Sequence, residues 1–239
     1  MNQTNYALWS DGCREQLLRF AKQQIGNEPI LELLRNGLDH TNLHPCQSVN
    51  YLESHDDYAL VDRFRDLPIW EGEQMPEEVV WRIMFAVGLM LVSPGVPMLS
   101  AGQDFLRHKK GIRNTYLMSD VNALDYSLEE DFDLEVTFIR ELINLRLKAP
   151  GRRARESVSD EWEVYSFDSE SSGVIVFGWE STRTKEKFLI SANNQPLQYV
   201  VDLPEQWVEN AKILTGYRSN KSSPGIVAPL SFSWFAYDE

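Results

Sequence analysis

Val49-Asn50-Tyr51-Leu52-Glu53-Ser54-His55-Asp56-Asp57 changes character halfway along its length. The apolar residues at its start read as a buried β-strand. The dense polar cluster at its carboxyl end has no explanation in packing. In parallel α/β architectures the chemistry sits at the carboxyl ends of the strands. The segment therefore reads as one wall of a site, with His55 and Asp56 facing into it.

The neighbours on the carboxyl side fit the same architecture. Pro68, Gly72 and Pro76 mark a polar connection. Pro76 followed by Glu77 and Glu78 is a favourable helix start, because proline and acids both suit the first turn. That helix is expected to reach about Val92 and to stop at Ser93-Pro94-Gly95. Val96 to Gly102 reads as a second short buried strand, again ending in polar residues: Gln103, Asp104, Arg107, His108 and Lys109. Strand, helix, strand in this order predicts a βαβ unit with parallel strands.

On the amino side, residues 11–36 read as helical, with a second start signal at Pro29, and Asp39 to Pro45 as a loop. Beyond the second strand, Gly111 to Tyr126 reads as a long loop. Ser127-Leu128-Glu129-Glu130 has capping-box form. An amphipathic helix follows, with Leu134, Phe138, Leu142 and Leu145 on its apolar face, to about Lys148.

The character changes after Gly151. Trp162–Phe167, Val174–Trp179, Lys187–Ser191, Tyr199–Leu203, Ala211–Leu214 and Ile226–Tyr237 are short strand-like runs separated by turn residues. Such runs predict an antiparallel sandwich or barrel. The expected organisation is an α/β part over residues 1–150 and an all-β domain over 151–239.

Composition narrows the partners. The chain has 239 residues and a formal net charge of −13, which argues against a nucleic-acid backbone as partner. A neutral polysaccharide is compatible with it. Aromatic residues make up 11%, which fits sugar-stacking surfaces and a well-packed core alike. Cys13 and Cys46 do not form a disulfide framework. The polar start Met1–Tyr6 does not read as a signal peptide. Val79–Val92, the longest apolar stretch, carries Arg82 and is too short to span a bilayer, so it reads as a core helix and no membrane partner is expected. The compartment is left open.

With these motifs in order, the chain resembles the carboxyl-terminal half of an α-amylase-superfamily glycoside hydrolase, on the pullulanase and debranching-enzyme side. Residues 49–56 resemble the family's motif at barrel strand seven. Ser93-Pro94-Gly95-Val96-Pro97-Met98-Leu99-Ser100-Ala101-Gly102-Gln103-Asp104 resembles its strand-eight motif. Arg113-Asn114-Thr115-Tyr116 and Asp120–Tyr126 resemble the following loop, and Trp9–Phe20 the helix after strand five or six. Asp57 and Asp104 depart from the family's usual Asn and Glu.

The resemblance implies the last strands of a (β/α)8 barrel followed by a small antiparallel β-sandwich domain. It implies an α-glucan as substrate, no cofactor and a retaining mechanism in an intact enzyme. Asp56 would stabilise the transition state, and His55, Asn114 and Tyr116 would bind sugar. A retaining glycosidase needs a nucleophile and an acid/base carboxyl. Neither family motif for that pair is found before residue 49. The chain is therefore expected to be inactive alone and to work with an upstream barrel half or as a homodimer, with a non-catalytic glucan-binding protein as the alternative.

Other candidates are weighed from the residues themselves. His55 and Asp56 also fit a solvated loop pair, and Asn114 and Tyr116 a merely structured loop. Arg113 and Asp120 are weaker candidates. Glu53 and His55 would share a face by strand alternation, yet Glu53 reads better as a strand-end carboxylate paired with a base. His40, His44 and Cys46 have zinc-ligand chemistry but lack an obvious fourth ligand, so no metal is expected.

Overall fold

The computed structural model describes residues 6–37, 45–64, 75–148, 161–220 and 222–237. Three short strands form a parallel sheet: β1 (Leu8–Ser10), β2 (Ser48–Tyr51) and β3 (Val96–Met98), in the order β1-β2-β3. β2 pairs with both neighbours, Val49 lying opposite Trp9 on one side and Val96 on the other. The parallel pairing of the two motif strands is as read from the sequence. The strand at Leu8–Ser10 was not anticipated. Val96 is 44% exposed and β3 pairs on one side only among the described residues, so the second motif strand is not the buried strand expected, and it ends at Met98 and not at Gly102.

Helices cover the sheet. α1 (Asp11–Ala21) follows β1 without a turn, and α2 (Glu28–Asn36) starts with a proline in its first turn. α3 (Leu60–Phe64) is a single turn after the His-Asp segment. α4 (Glu77–Val92) connects β2 to β3 and is buried nearly throughout. The loop after β3 carries α5 (Ser119–Asn122), then α6 (Leu128–Asp131) and α7 (Asp133–Leu147). Among the described residues, no helix is long and apolar enough to cross a membrane.

Two local expectations are corrected. Ser127 makes no capping bond; its hydroxyl donates to Asp125 Oδ1 at 2.6 Å instead. An Asx-type turn thus competes with the cap, as such short polar side chains do. Leu134 is 73% exposed, because α7 turns Phe138, Ile139 and Leu142 inward.

The remaining strands are antiparallel, as expected: β4 (Trp162–Phe167), β5 (Val174–Ser181), β6 (Lys187–Asn193), β7 (Tyr199–Val200), β8 (Ala211–Tyr217), β9 (Ile226–Val227) and β10 (Ser231–Tyr237). Five of them form one sheet in the order β4-β5-β6-β10-β8, and β7 pairs with β9 beside it. Period-two alternation divides the sheet's faces. Ile175, Phe177, Ile190, Phe232 and Trp234 join one buried cluster with Phe20 of α1, Phe85 of α4 and Phe138 of α7. Val174, Val176, Leu189 and Phe235 pack with Trp207 on the other face.

Gly88 lets α4 approach β10. A Cβ there would sit 3.0 Å from the Phe232 ring. Polar contacts join the same layers: Asn194 donates to the Phe20 carbonyl at 2.9 Å, and Tyr217 donates to Glu135 at 2.5 Å. The sheet of motif strands is therefore held from behind by a helical layer that is itself packed on the antiparallel sheet.

Candidate functional site

The carboxyl ends of β1, β2 and β3 lead into Asp11, the segment 52–59 and the loop 99–127. These three connections gather at one edge of the parallel sheet. At the first, Ser10 caps α1 by accepting from the Cys13 N–H at 3.4 Å. Tyr51, at the end of β2, donates to the Asp11 carboxylate and accepts from Arg14 at 2.8 Å. Burial and the bond to Asp11 push the Tyr51 phenol up to about 12.

Trp9 stands over this edge, 49% exposed. Its ring lies 5.3 Å from Tyr51 and meets His55 edge-on, with centroids 6.0 Å apart at 80°. His55 and Asp56 extend outward, with side chains 72% and 69% exposed and 3.4 Å between Nε2 and Oδ2. An aromatic face beside an exposed imidazole and carboxylate matches what a sugar ring presents: an apolar face rimmed by hydroxyls.

Glu53 behaves differently from His55. It is buried, its Oε1 lies 2.5 Å from Arg107 Nη2, and its Oε2 accepts from the Leu60 N–H at 2.7 Å. The pairing with a base is the one anticipated; the shared face with His55 is not found. β2 ends at Tyr51, so strand alternation no longer governs position 55. Burial raises the Glu53 carboxyl above the ordinary range, while the Leu60 N–H and Arg107 pull it back.

Asp57 ties the second connection to the third. Its carboxylate meets Arg63 at 2.5 Å and Arg113 at 2.7 Å. Asn114 Oδ1 accepts from the Asp57 N–H at 2.8 Å, and the Asn114 N–H donates to the Asp57 carbonyl at 3.3 Å. Both residues have positive φ, 66° and 54°. Asp62 accepts from the N–H groups of Lys109 at 2.8 Å and Gly111 at 3.0 Å.

The structure thus joins His55 and Asp56 to Arg113 and Asn114 through Asp57. Tyr116 is in the same loop, 77% exposed. Asp120 lies in the first turn of α5 and is exposed. His40 and His44 lie outside the described residues, and among those described no cluster of metal-ligating side chains occurs.

Sequence reasoning missed Trp9 and Arg63. An aromatic residue directly before a Ser-Asp helix start was the available signal for Trp9. Nothing in sequence distance pairs Arg63 with Asp57 over other acids.

No protein-family model matches the chain. Curated relatives do. A pullulanase of Bacillus subtilis (strain 168) is 37% identical over 114 residues, which is 47% of this chain and 16% of the relative. A glycogen debranching enzyme of Dickeya chrysanthemi is 26% identical over 249 residues, 84% of this chain and 36% of the relative. A crystal structure of pullulanase with maltotetraose from Anoxybacillus sp. LM18-11 superposes with a TM-score of 0.76 at 21% identity, over 97% of this chain and 35% of that one. The chain spans little more than a third of these proteins' lengths at most.

Proposed function

For a chain that is pullulanase-like in sequence and in fold, we propose a role as the carboxyl-terminal portion of an α-glucan hydrolase. In this reading β1, β2 and β3 are the last strands of a (β/α)8 barrel. Residues 151–239 are its small β domain, of sandwich character, with the boundary near residue 150. His55 and Asp56 grip the sugar at the cleavage point. Asp56 stabilises the oxocarbenium-like transition state, an interaction that strengthens as the ring flattens. Tyr116 and Trp9 offer aromatic faces to neighbouring sugars, and Asn114 contributes mainly by holding the loop that carries Tyr116.

One observation supports this reading most: the two motif segments lie on adjacent parallel strands, with their polar ends at one edge. Maltotetraose in the Anoxybacillus pullulanase crystal is consistent with a glucan as ligand.

The chemistry would come from elsewhere. Among the described carboxylates at this edge, Asp11, Glu53, Asp57 and Asp62 are each engaged by a phenol, an arginine or backbone N–H groups. Asp56 remains available, as do Asp104 and the exposed Asp120 of the third connection. None of them lies in a nucleophile or acid/base motif of the family, and a retaining mechanism needs that pair. The chain alone then binds glucan without cleaving it, and an upstream barrel half or a second copy completes the site. β1 and β3 each pair on one side only among the described residues, leaving edges such a partner would cover.

The test is calorimetric titration with maltotetraose alongside a reducing-sugar assay on pullulan. Binding without hydrolysis, lost in Asp56→Ala, supports the proposal. Hydrolysis by the chain alone overturns it.

A further inference from the structure

Three charged side chains lie beneath the His-Asp segment. Glu53 and Lys109 are 1% exposed and Arg107 is 8% exposed. Glu53 is matched by Arg107 at 2.5 Å, which leaves Lys109 as a second buried cation. Its ammonium points at the His55 carbonyl, with Nζ 3.3 Å from the oxygen. Its own backbone is fixed by Asp62, which accepts from the Lys109 N–H at 2.8 Å. Burial and Arg107 lower the Lys109 ammonium from its ordinary range, opposed by Glu53, Asp62 and Asp56. Taking an ammonium out of water is costly unless it is paired and bonded, and packing alone would be served by an apolar side chain of the same length.

We propose that Lys109 is a positioning residue for the sugar-gripping pair. It holds the peptide linking His55 to Asp56 from below, through the His55 carbonyl, and so sets a buried positive charge beneath the backbone that carries Asp56. Asp56 then meets a sugar hydroxyl with its backbone already ordered. This rests on the glucan-binding reading above, yet it makes a claim about local order that needs no sugar.

The experiment compares wild type, Lys109→Met and Lys109→Arg. Methionine keeps length and apolar bulk; arginine keeps the cation and its donors. Amide exchange is followed at residues 54–58, with residues 188–192 of β6 as internal reference, and maltotetraose affinity is measured by calorimetry. We expect Lys109→Met to exchange at least tenfold faster at 54–58, with β6 unchanged, and to bind at least tenfold more weakly. Arginine restores both to within about threefold. A merely structural role would accelerate exchange in β6 as well and lower the urea midpoint, and that outcome overturns the proposal. Unchanged exchange at 54–58 in Lys109→Met also overturns it. Wild type failing to bind maltotetraose, while Lys109→Met still loosens 54–58, refutes the glucan reading and leaves the positioning claim supported.

Discussion

Asp57 and Asn114 are joined backbone to side chain and backbone to backbone, 57 positions apart in sequence, with the Asn114 amide accepting at 2.8 Å. Asn114 thereby acts as a clasp between the His-Asp segment and the loop after β3. Its φ of 54° lies in the left-handed region, which asparagine tolerates better than most residues. We predict that Asn114→Ala loses the side-chain bond and adds backbone strain, costing about 1–3 kcal/mol. Asn114→Gly relieves the strain and costs less. Urea midpoints of the two variants check this ordering; alanine no worse than glycine would contradict it.

Glu53 and Arg107 form a buried ion pair. Removing one partner leaves the other charged and unpaired in a dry environment, at roughly 3–5 kcal/mol. We predict a loss of that size for Glu53→Leu. The double change Glu53→Leu with Arg107→Met should recover much of it, because desolvation of both charges is avoided. A double-mutant cycle by denaturant unfolding measures the coupling, and additive losses would sink this account.

Gly95 has φ 121°, and a Cβ there would meet Asn50 Nδ2 at 2.6 Å. That amide donates to the Pro94 carbonyl at 2.7 Å, fixing β3 beside β2. Gly95→Ala is therefore expected to displace Asn50 and weaken the parallel pairing, costing about 2 kcal/mol or more from strain and a lost buried bond. Faster amide exchange at residues 48–51 reports it. Exchange equal to wild type would refute this packing argument.

Alkaline pH should unfold the protein early. Burial raises the Cys13 thiol from 9.0 to about 12 and the Tyr51 phenol from 10.0 to about 12. Both folded values lie above the unfolded ones, so the stability they protect is intact below about pH 9. It is lost as pH rises toward 12, while the unfolded chain releases protons first. Each group contributes about 1 kcal/mol per pH unit within its window. Unfolding free energies between pH 8 and 11 should fall, and less steeply in Tyr51→Phe. A flat profile would contradict the burial of these groups.

Much of this was legible in the chain. Pro76-Glu77-Glu78 announced α4, and the apolar-to-polar switch at Glu53 announced the end of β2, whereas β3 stops at Met98, short of the switch at Gln103. The antiparallel runs after residue 160 were visible because turn residues separate them. β1 was hidden: three residues feed directly into α1, so no turn marks the strand. The exposure of Leu134 depended on how α7 rotates against β8 and β10, which helical periodicity leaves open. At the site, His55 and Asp56 stood out by type. The contact of Trp9 with His55, and the choice of Asp57 by Arg63 and Arg113, depend on which loops meet in space. Charges alone do not select among many acids.

In the proposed function His55 and Asp56 form a glucan-gripping edge without its own cutting pair. The most direct measurement is pullulan hydrolysis by the purified chain, alone and mixed with a separately expressed barrel half that carries the two family carboxylates. We expect no turnover alone, and turnover on mixing that Asp56→Ala abolishes while its urea midpoint stays at the wild-type value. Turnover by the chain alone, or mixed activity indifferent to Asp56→Ala, would contradict it.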